Sequence, residues 1–331
     1  EDISAKSYRL LRKAGAVPDY GHIKDWKDKV VAIVPSHAHL DHIGAIPFAA
    51  PLFPNSPIIC TPYTKEVITA ILNDERMKLP NEIIDVKLNG TYKISENITA
   101  EFVHITHSIP HTAVVILHTP QGKIVYANDY KYDNIPTLGV KPNFKRLKEI
   151  GDEGVEVLII ECLYAHEHRK MPSETIARQM LKDVMLGVDS QGKGMIVTTF
   201  SSHISRLKSI IEMGKKLNRK IVFLGRSLAK YSRAAEQINL VNFSQDVKFV
   251  KYRDKVEHTL RKIMKEGKEK YLIVCTGHQG EQRAVLSRIA RGELALKLNS
   301  KTMCVFSCSV IPVELNIQNR EKLERTLRSS G

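Results

Sequence analysis

A chain of 331 residues with 43% hydrophobic content has the length for roughly two domains, each with a core of its own. It carries no apolar run near the ~20 residues that span a bilayer, and Glu1-Asp2-Ile3 does not open a signal peptide, so neither a membrane protein nor a secreted one is expected. The net charge of +14 is confined to one half: residues 1–165 hold 18 Lys+Arg against 20 Asp+Glu and residues 166–331 hold 32 against 16, which points to a polyanion-binding module joined to a near-neutral one.

The first predicted element is a buried strand at residues 30–34, closed by Pro35. Ser36-His37-Ala38-His39-Leu40-Asp41-His42 follows directly and packs three imidazoles and a carboxylate into six positions. Such a turn brings nitrogen and carboxylate-oxygen donors together, the donor set of a borderline metal such as zinc. Further strands are predicted at residues 58–60, 101–105, 113–117, 123–127 and 157–161, with Pro120-Gln121-Gly122 as a hairpin turn and helices at 65–72 and 143–150. His107 follows the strand at 101–105, Asp129 follows the one at 123–127, and Glu161 ends the last. Taken singly, each is as readily an ordinary loop or strand-end residue. Beside the histidine cluster they gain weight, because a dinuclear site needs about six to eight protein ligands.

From residue 166 the pattern changes to helices at 173–186, 205–216, 227–238, 255–266, 282–290 and 315–327. They separate strands at 194–199, 221–224, 271–275 and 302–306. Strands spaced by helices imply βαβ units around a parallel sheet. Three strand-to-helix loops carry phosphate-binding chemistry: Ser201-Ser202-His203 with Arg206, Gly225-Arg226-Ser227, and Gly277-His278-Gln279-Gly280. Backbone amides, hydroxyls and a positive helix end favour an anion there, and glycines allow close backbone approach. All three loops fall at carboxyl ends of parallel strands, where open α/β sheets bind ligands. Cys60, Cys162, Cys275, Cys304 and Cys308 form no CxxC pair, which favours reduced, buried thiols and a cytoplasmic location.

The order of motifs is a resemblance in itself. His37-x-His39-x-Asp41-His42, then His107, then Asp129 is similar to the metallo-β-lactamase superfamily, whose αββα sandwich holds one or two zinc ions at a sheet edge. Glu161 resembles the first motif of the β-CASP nucleases, in which a βα-rich domain is inserted into that fold. Thr199-Phe200-Ser201-Ser202-His203, Thr276-Gly277-His278-Gln279-Gly280-Glu281 and the stretch 307–312 look like the ribonuclease J family, its archaeal branch most of all.

The resemblance implies an α/β chain with a partial metallo-β-lactamase domain at 1–165 and a β-CASP domain, a parallel sheet flanked by helices, at 166–331. It implies two Zn2+, with Mn2+ as the alternative in cells: His37, His39 and His107 on one, Asp41 and His42 on the second, and Asp129 bridging. Asp41, His42 and Glu161 would serve catalysis, Glu161 by orienting a ligand or relaying a proton. Ser201, Ser202, His203, Arg206, Arg226, Gly277, His278, Gln279 and Gly280 would meet RNA phosphates. The implied activity is 5′-to-3′ exonuclease action on single-stranded RNA with a 5′-monophosphate preference, in a cytoplasmic homodimer without a membrane partner. A β-CASP endonuclease or DNA nuclease, a small-molecule metallohydrolase and a non-catalytic RNA-binding fragment are the other readings weighed.

Two departures stand out. Nothing resembling the family's upstream acidic motif precedes Tyr8, and no histidine follows His278, so the chain is expected to be a central portion with the second metal site incomplete. Residues 309–314 also differ from the family's more usual Pro-Ile-Pro-Gly/Asn stretch.

Overall fold

The computed structural model describes residues 8–168 and 170–330. The chain divides between Met171 and Pro172 into two compact units. The first contains helices α1 (Tyr8–Lys13), α2 (Leu40–Ile43), α3 (Ile46–Ala49), α4 (Pro62–Glu75) and α5 (Phe144–Asp152). Its strands are β1 (Ile58–Cys60), β2 (Ile83–Asp85), β3 (Thr91–Lys93), β4 (Thr99–His104), β5 (Ala113–Thr119), β6 (Gly122–Ala127) and β7 (Val157–Ile160).

Strands β3 to β6 pair antiparallel in chain order, and β7 joins β6 in parallel. Apolar residues on both faces of β4 and β5 explain why both faces are covered. Val103, Val114, Ile116 and Val125 pack with Ile150 and Leu147 of α5 on one side. Phe102, Ala100, Ala113 and Val115 pack on the other with Ile59 and Val86, which belong to or adjoin the small parallel sheet β1–β2. Helix α4 lies against β2, so the layers run helix, sheet, sheet, helix. The β5–β6 turn is Pro120-Gln121, with Thr119 paired to Gly122. Gly122 has φ +129°, and a Cβ there would lie 2.9 Å from Glu156 Cβ, so conformation and space both call for glycine.

Residues 30–34 do not form the expected strand. The segment is extended but makes one parallel bridge, Ile33 to Ile58, and its partner strand is only three residues long. Pro35, without an N–H, ends the pairing before a ladder can grow. The other predicted strands of this unit form, 58–60 with the expected ends and the rest with ends within two residues of those expected.

The second unit contains α6 (Glu174–Leu186), β8 (Gly194–Thr198), α7 (Ile204–Lys216), β9 (Lys220–Leu224), α8 (Arg226–Gln237), β10 (Val247–Val250), α9 (Arg253–Glu266), β11 (Tyr271–Cys275), α10 (Val285–Ala290), β12 (Thr302–Phe306) and α11 (Glu314–Arg328). The five strands make one parallel sheet in the order β10-β9-β11-β8-β12. β8 and β11 are buried along their whole length, as unbroken apolar runs in a helix-covered parallel sheet should be. Ile196, Val222, Ile273, Leu260, Leu286 and Leu323 belong to one core that joins sheet and helices. The edge strand β10 is absent from the sequence reading, because Val247-Lys248-Phe249-Val250 is short and interrupted by a charge. Among the described residues no helix is long and apolar enough to cross a membrane. All five cysteines are free; Cys60 and Cys275 are buried as expected, whereas Cys162 is exposed beside the edge strand β7.

Candidate metal centre

Ser36, His37 and Ala38 are buried at the end of the extended segment that follows Ile33. His39 stands at the N-cap of α2, which puts Asp41 in the first turn of that short helix and His42 in its last. His107 comes from the loop after β4, and Asp129 from the loop after β6 with a left-handed φ of +47°. Aspartate tolerates that region better than most residues, and here it turns the carboxylate toward the histidines.

Four atoms converge. His37 Nε2 lies 3.2 Å from His39 Nδ1, which lies 3.1 Å from His107 Nε2. Asp129 Oδ2 is 3.5 Å from His37 Nε2 and 3.7 Å from His107 Nε2. A tetrahedron with metal–ligand bonds of about 2.0–2.1 Å has edges of about 3.4 Å, so these spacings fit one divalent cation. Asp129 also belongs to a second group with Asp41 and His42. Its Oδ2 is 3.1 Å from His42 Nε2, and Asp41 Oδ2 is 3.5 Å from the same nitrogen. In each group the ligand atoms lie within 4.8 Å of one another. The second group has three residues, and its Asp41 side chain is 76% exposed, so it is the more open position.

The protonation pattern suits ligands. Burial lowers the His37 pKa, and burial together with His37 pushes His39 down to about 3, so both rings are neutral with a lone pair to offer. Hydrogen bonds from His37 and His42 hold the Asp129 carboxyl far below its ordinary value. His42 goes the other way: Asp129 first and Asp41 second raise it to about 9. A cation at the second group therefore has to displace a proton.

Behind the candidate ligands stand polar residues that no motif announces. Ser36 Oγ lies 2.9 Å from His37 Nδ1, and Ser108 Oγ 3.4 Å from His39 Nε2. The Asn128 amide lies 3.3 Å from His42 Nδ1 and donates to Tyr126 Oη at 2.7 Å. Such contacts fix ring orientation; each partner adjoins a ligand in the chain, which was the available signal. Glu161 is not brought into the cluster. Its backbone N–H donates to Ala127 at 3.2 Å, and its carboxylate accepts from the Leu163 N–H at 2.7 Å.

In the second unit the three loops do lie at the carboxyl ends of β8, β9 and β11. Their residues differ from the expected set in what they touch. Arg206 is engaged within the unit: Nε and Nη2 donate to Glu174 at 2.6 and 2.9 Å, and Nη1 donates to the Ser307 carbonyl at 2.6 Å. A buried carboxylate needs that partner, so the guanidinium is used internally. Gln279 is likewise engaged, donating to the Ser309 carbonyl and accepting from the Ile311 N–H. A Cβ on Gly277 would lie 2.9 Å from Leu286 Cβ, and one on Gly280 would strike the backbone of Asn319. Those glycines admit the close approach of helices α10 and α11. Ser202 and His278 are buried, Ser201 is partly so, and Arg226 is exposed at the start of α8. His203 Nε2 lies 3.4 Å from Glu174.

Glu174 carries a stability prediction. Burial raises its pKa, but His203 and Arg206 outweigh burial and bring it down to about 2. A depressed carboxylate pKa stabilises the fold above the unfolded value near 4.5 and loses that contribution as pH falls toward 2. The expected loss is about 3 kcal/mol over that window, and Glu174→Gln should flatten the corresponding slope in urea titrations.

The metallo-beta-lactamase superfamily model matches residues 26–226, and that of "Ribonuclease J, beta-CASP domain" matches residues 192–323. The chain is 44% identical over 326 residues to Ribonuclease J of Pyrococcus abyssi, covering 98% of this chain and 71% of that protein. It is 42% identical over 331 residues to Ribonuclease J of Methanocaldococcus jannaschii, covering 100% and 74%. Ribonuclease J 1 of Streptococcus pyogenes serotype M3 is 31% identical over 316 residues, covering 95% of this chain and 53% of its own length.

Proposed function

This chain belongs to the ribonuclease J family within the metallo-β-lactamase superfamily, and from that membership we propose that it is a metal-dependent ribonuclease hydrolysing phosphodiester bonds of single-stranded RNA. The carrying observation is the convergence of His37, His39, His107 and Asp129, with Asp41 and His42 sharing Asp129. Residues 1–165 act as the metallo-β-lactamase domain and residues 166–331 as the β-CASP domain. The metals are two zinc ions, with manganese as the alternative.

When bound, such a pair supplies Lewis-acid chemistry: it activates water near neutral pH and neutralises charge on the phosphate. The chain's own residues do the rest. His37 and His39, neutral through burial, each have one ring nitrogen with a lone pair to present. Asp129 holds both groups together through one oxygen, and Ser36, Ser108 and Asn128 keep the rings turned inward. Asp41, the most exposed of the six, would hold the second cation together with His42 and Asp129. The basic half supports a polyanionic substrate, a feature for which a small-molecule metallohydrolase has no use. Action proceeds 5′ to 3′ from a monophosphorylated end, in a cytoplasmic homodimer.

RNAs of one sequence bearing 5′-monophosphate, 5′-triphosphate or 5′-hydroxyl ends test this reading. Mononucleotides are expected mainly from the monophosphate RNA. Internal cuts independent of the end would make the chain an endonuclease, equal hydrolysis of DNA would make it a general nuclease, and binding without turnover would leave only an RNA-binding module.

A further inference from the structure

The second unit contains a buried ionic cluster that joins four segments at the carboxyl end of its sheet. Glu174, the first residue of α6, is 5% exposed and accepts both forks of Arg206. His203, at the N-cap of α7, places Nε2 3.4 Å from the same carboxylate. Arg206 Nη1 reaches the Ser307 carbonyl at 2.6 Å and its hydroxyl at 3.1 Å, and Thr199 Oγ1 donates to that carbonyl at 3.1 Å. One carboxylate and one guanidinium thus tie α6, the 199–203 loop, the first turn of α7 and the residue after β12.

A second imidazole is buried at this corner. His278, 2% exposed, has its ring centroid 4.1 Å from that of Phe200 in the same loop. Burial lowers the pKa of this imidazole to about 4, so the ring is neutral, and it lies close to the Thr199 backbone of the same loop.

We propose that Glu174 is a positioning residue for RNA binding: it does not touch the substrate, but fixes His203 with Ser201 and Ser202 in the arrangement that meets an RNA phosphate. The proposal rests on the ribonuclease reading above. Its sign distinguishes it from simple electrostatics. Removing a negative charge from a polyanion-binding unit should tighten binding; removing a positioning carboxylate should weaken it.

The test is the affinity of the full chain for a 5′-monophosphorylated single-stranded RNA. Glu174→Gln, nearly equal in size, is expected to raise Kd about ten-fold although it makes the unit more positive. His203→Asn, which leaves the Glu174–Arg206–Ser307 contacts in place, is expected to raise Kd as well. Glu212→Gln, which neutralises a surface carboxylate paired with Arg178, should leave Kd unchanged or lower it. A folded Glu174→Gln chain that binds as tightly as the parent overturns the proposal. Should that variant fail to fold, parent-like binding by His203→Asn overturns it. No RNA binding by the unmodified chain would defeat the ribonuclease reading itself, and this inference with it.

Discussion

Replacing Asp129 by Asn is expected to lower kcat on RNA by about 10³-fold or more while RNA affinity stays within about two-fold. The expectation is large because one oxygen serves both ligand groups: Asp129 Oδ2 lies 3.5 Å from His37 Nε2, 3.7 Å from His107 Nε2 and 3.1 Å from His42 Nε2. Asparagine keeps the size but removes the charge, so the first group loses its one carboxylate and the second is left with Asp41 alone. A variant at His107 or Asp41 touches fewer of these contacts and should cost less.

The same substitution has a readout that needs no turnover. In metal-free protein the His42 ring stays protonated up to about pH 9, chiefly because of Asp129. Asp129→Asn should move its titration downward, toward the ordinary imidazole value near 6.5. NMR titration of the ring would follow this directly. An unmoved His42 titration would mean that the carboxylate does not face that ring in solution. Retained turnover in a folded variant would mean that the chemistry lies elsewhere.

Much of this was legible in the sequence, for a physical reason. Metal ligation demands particular side chains, and His37, His39, Asp41 and His42 crowd them into one short segment, where the signal survives without any three-dimensional knowledge. His107 and Asp129 were legible because donors at a sheet edge must follow strands, and β4 and β6 each carry a short apolar stretch that marks them as strands. The parallel sheet of the second unit was equally plain, since β8 and β11 are unbroken hydrophobic runs between amphipathic helices.

What the sequence hid were pairings between distant residues. Arg206 after a strand looks like a phosphate ligand until Glu174, 32 residues earlier, is seen to occupy its guanidinium. Gly277 and Gly280 look like a phosphate cradle until α10 and α11 are seen to press against them. The Glu161 carboxylate accepts from the Leu163 N–H, a local contact that no motif announces. The segment 30–34 has the composition of a strand and lacks only a neighbour long enough to pair with it.

The most direct test of the central claim is metal removal, with metal content and RNA hydrolysis followed on one sample. Chelation is expected to abolish turnover while circular dichroism and RNA binding persist. The ligand groups lie in the near-neutral first unit, and each unit has its own apolar core. Adding back zinc or manganese should restore hydrolysis in proportion to the metal bound, and Asp129→Asn should neither retain the metal nor recover. Hydrolysis that continues undiminished in metal-free protein would contradict the account.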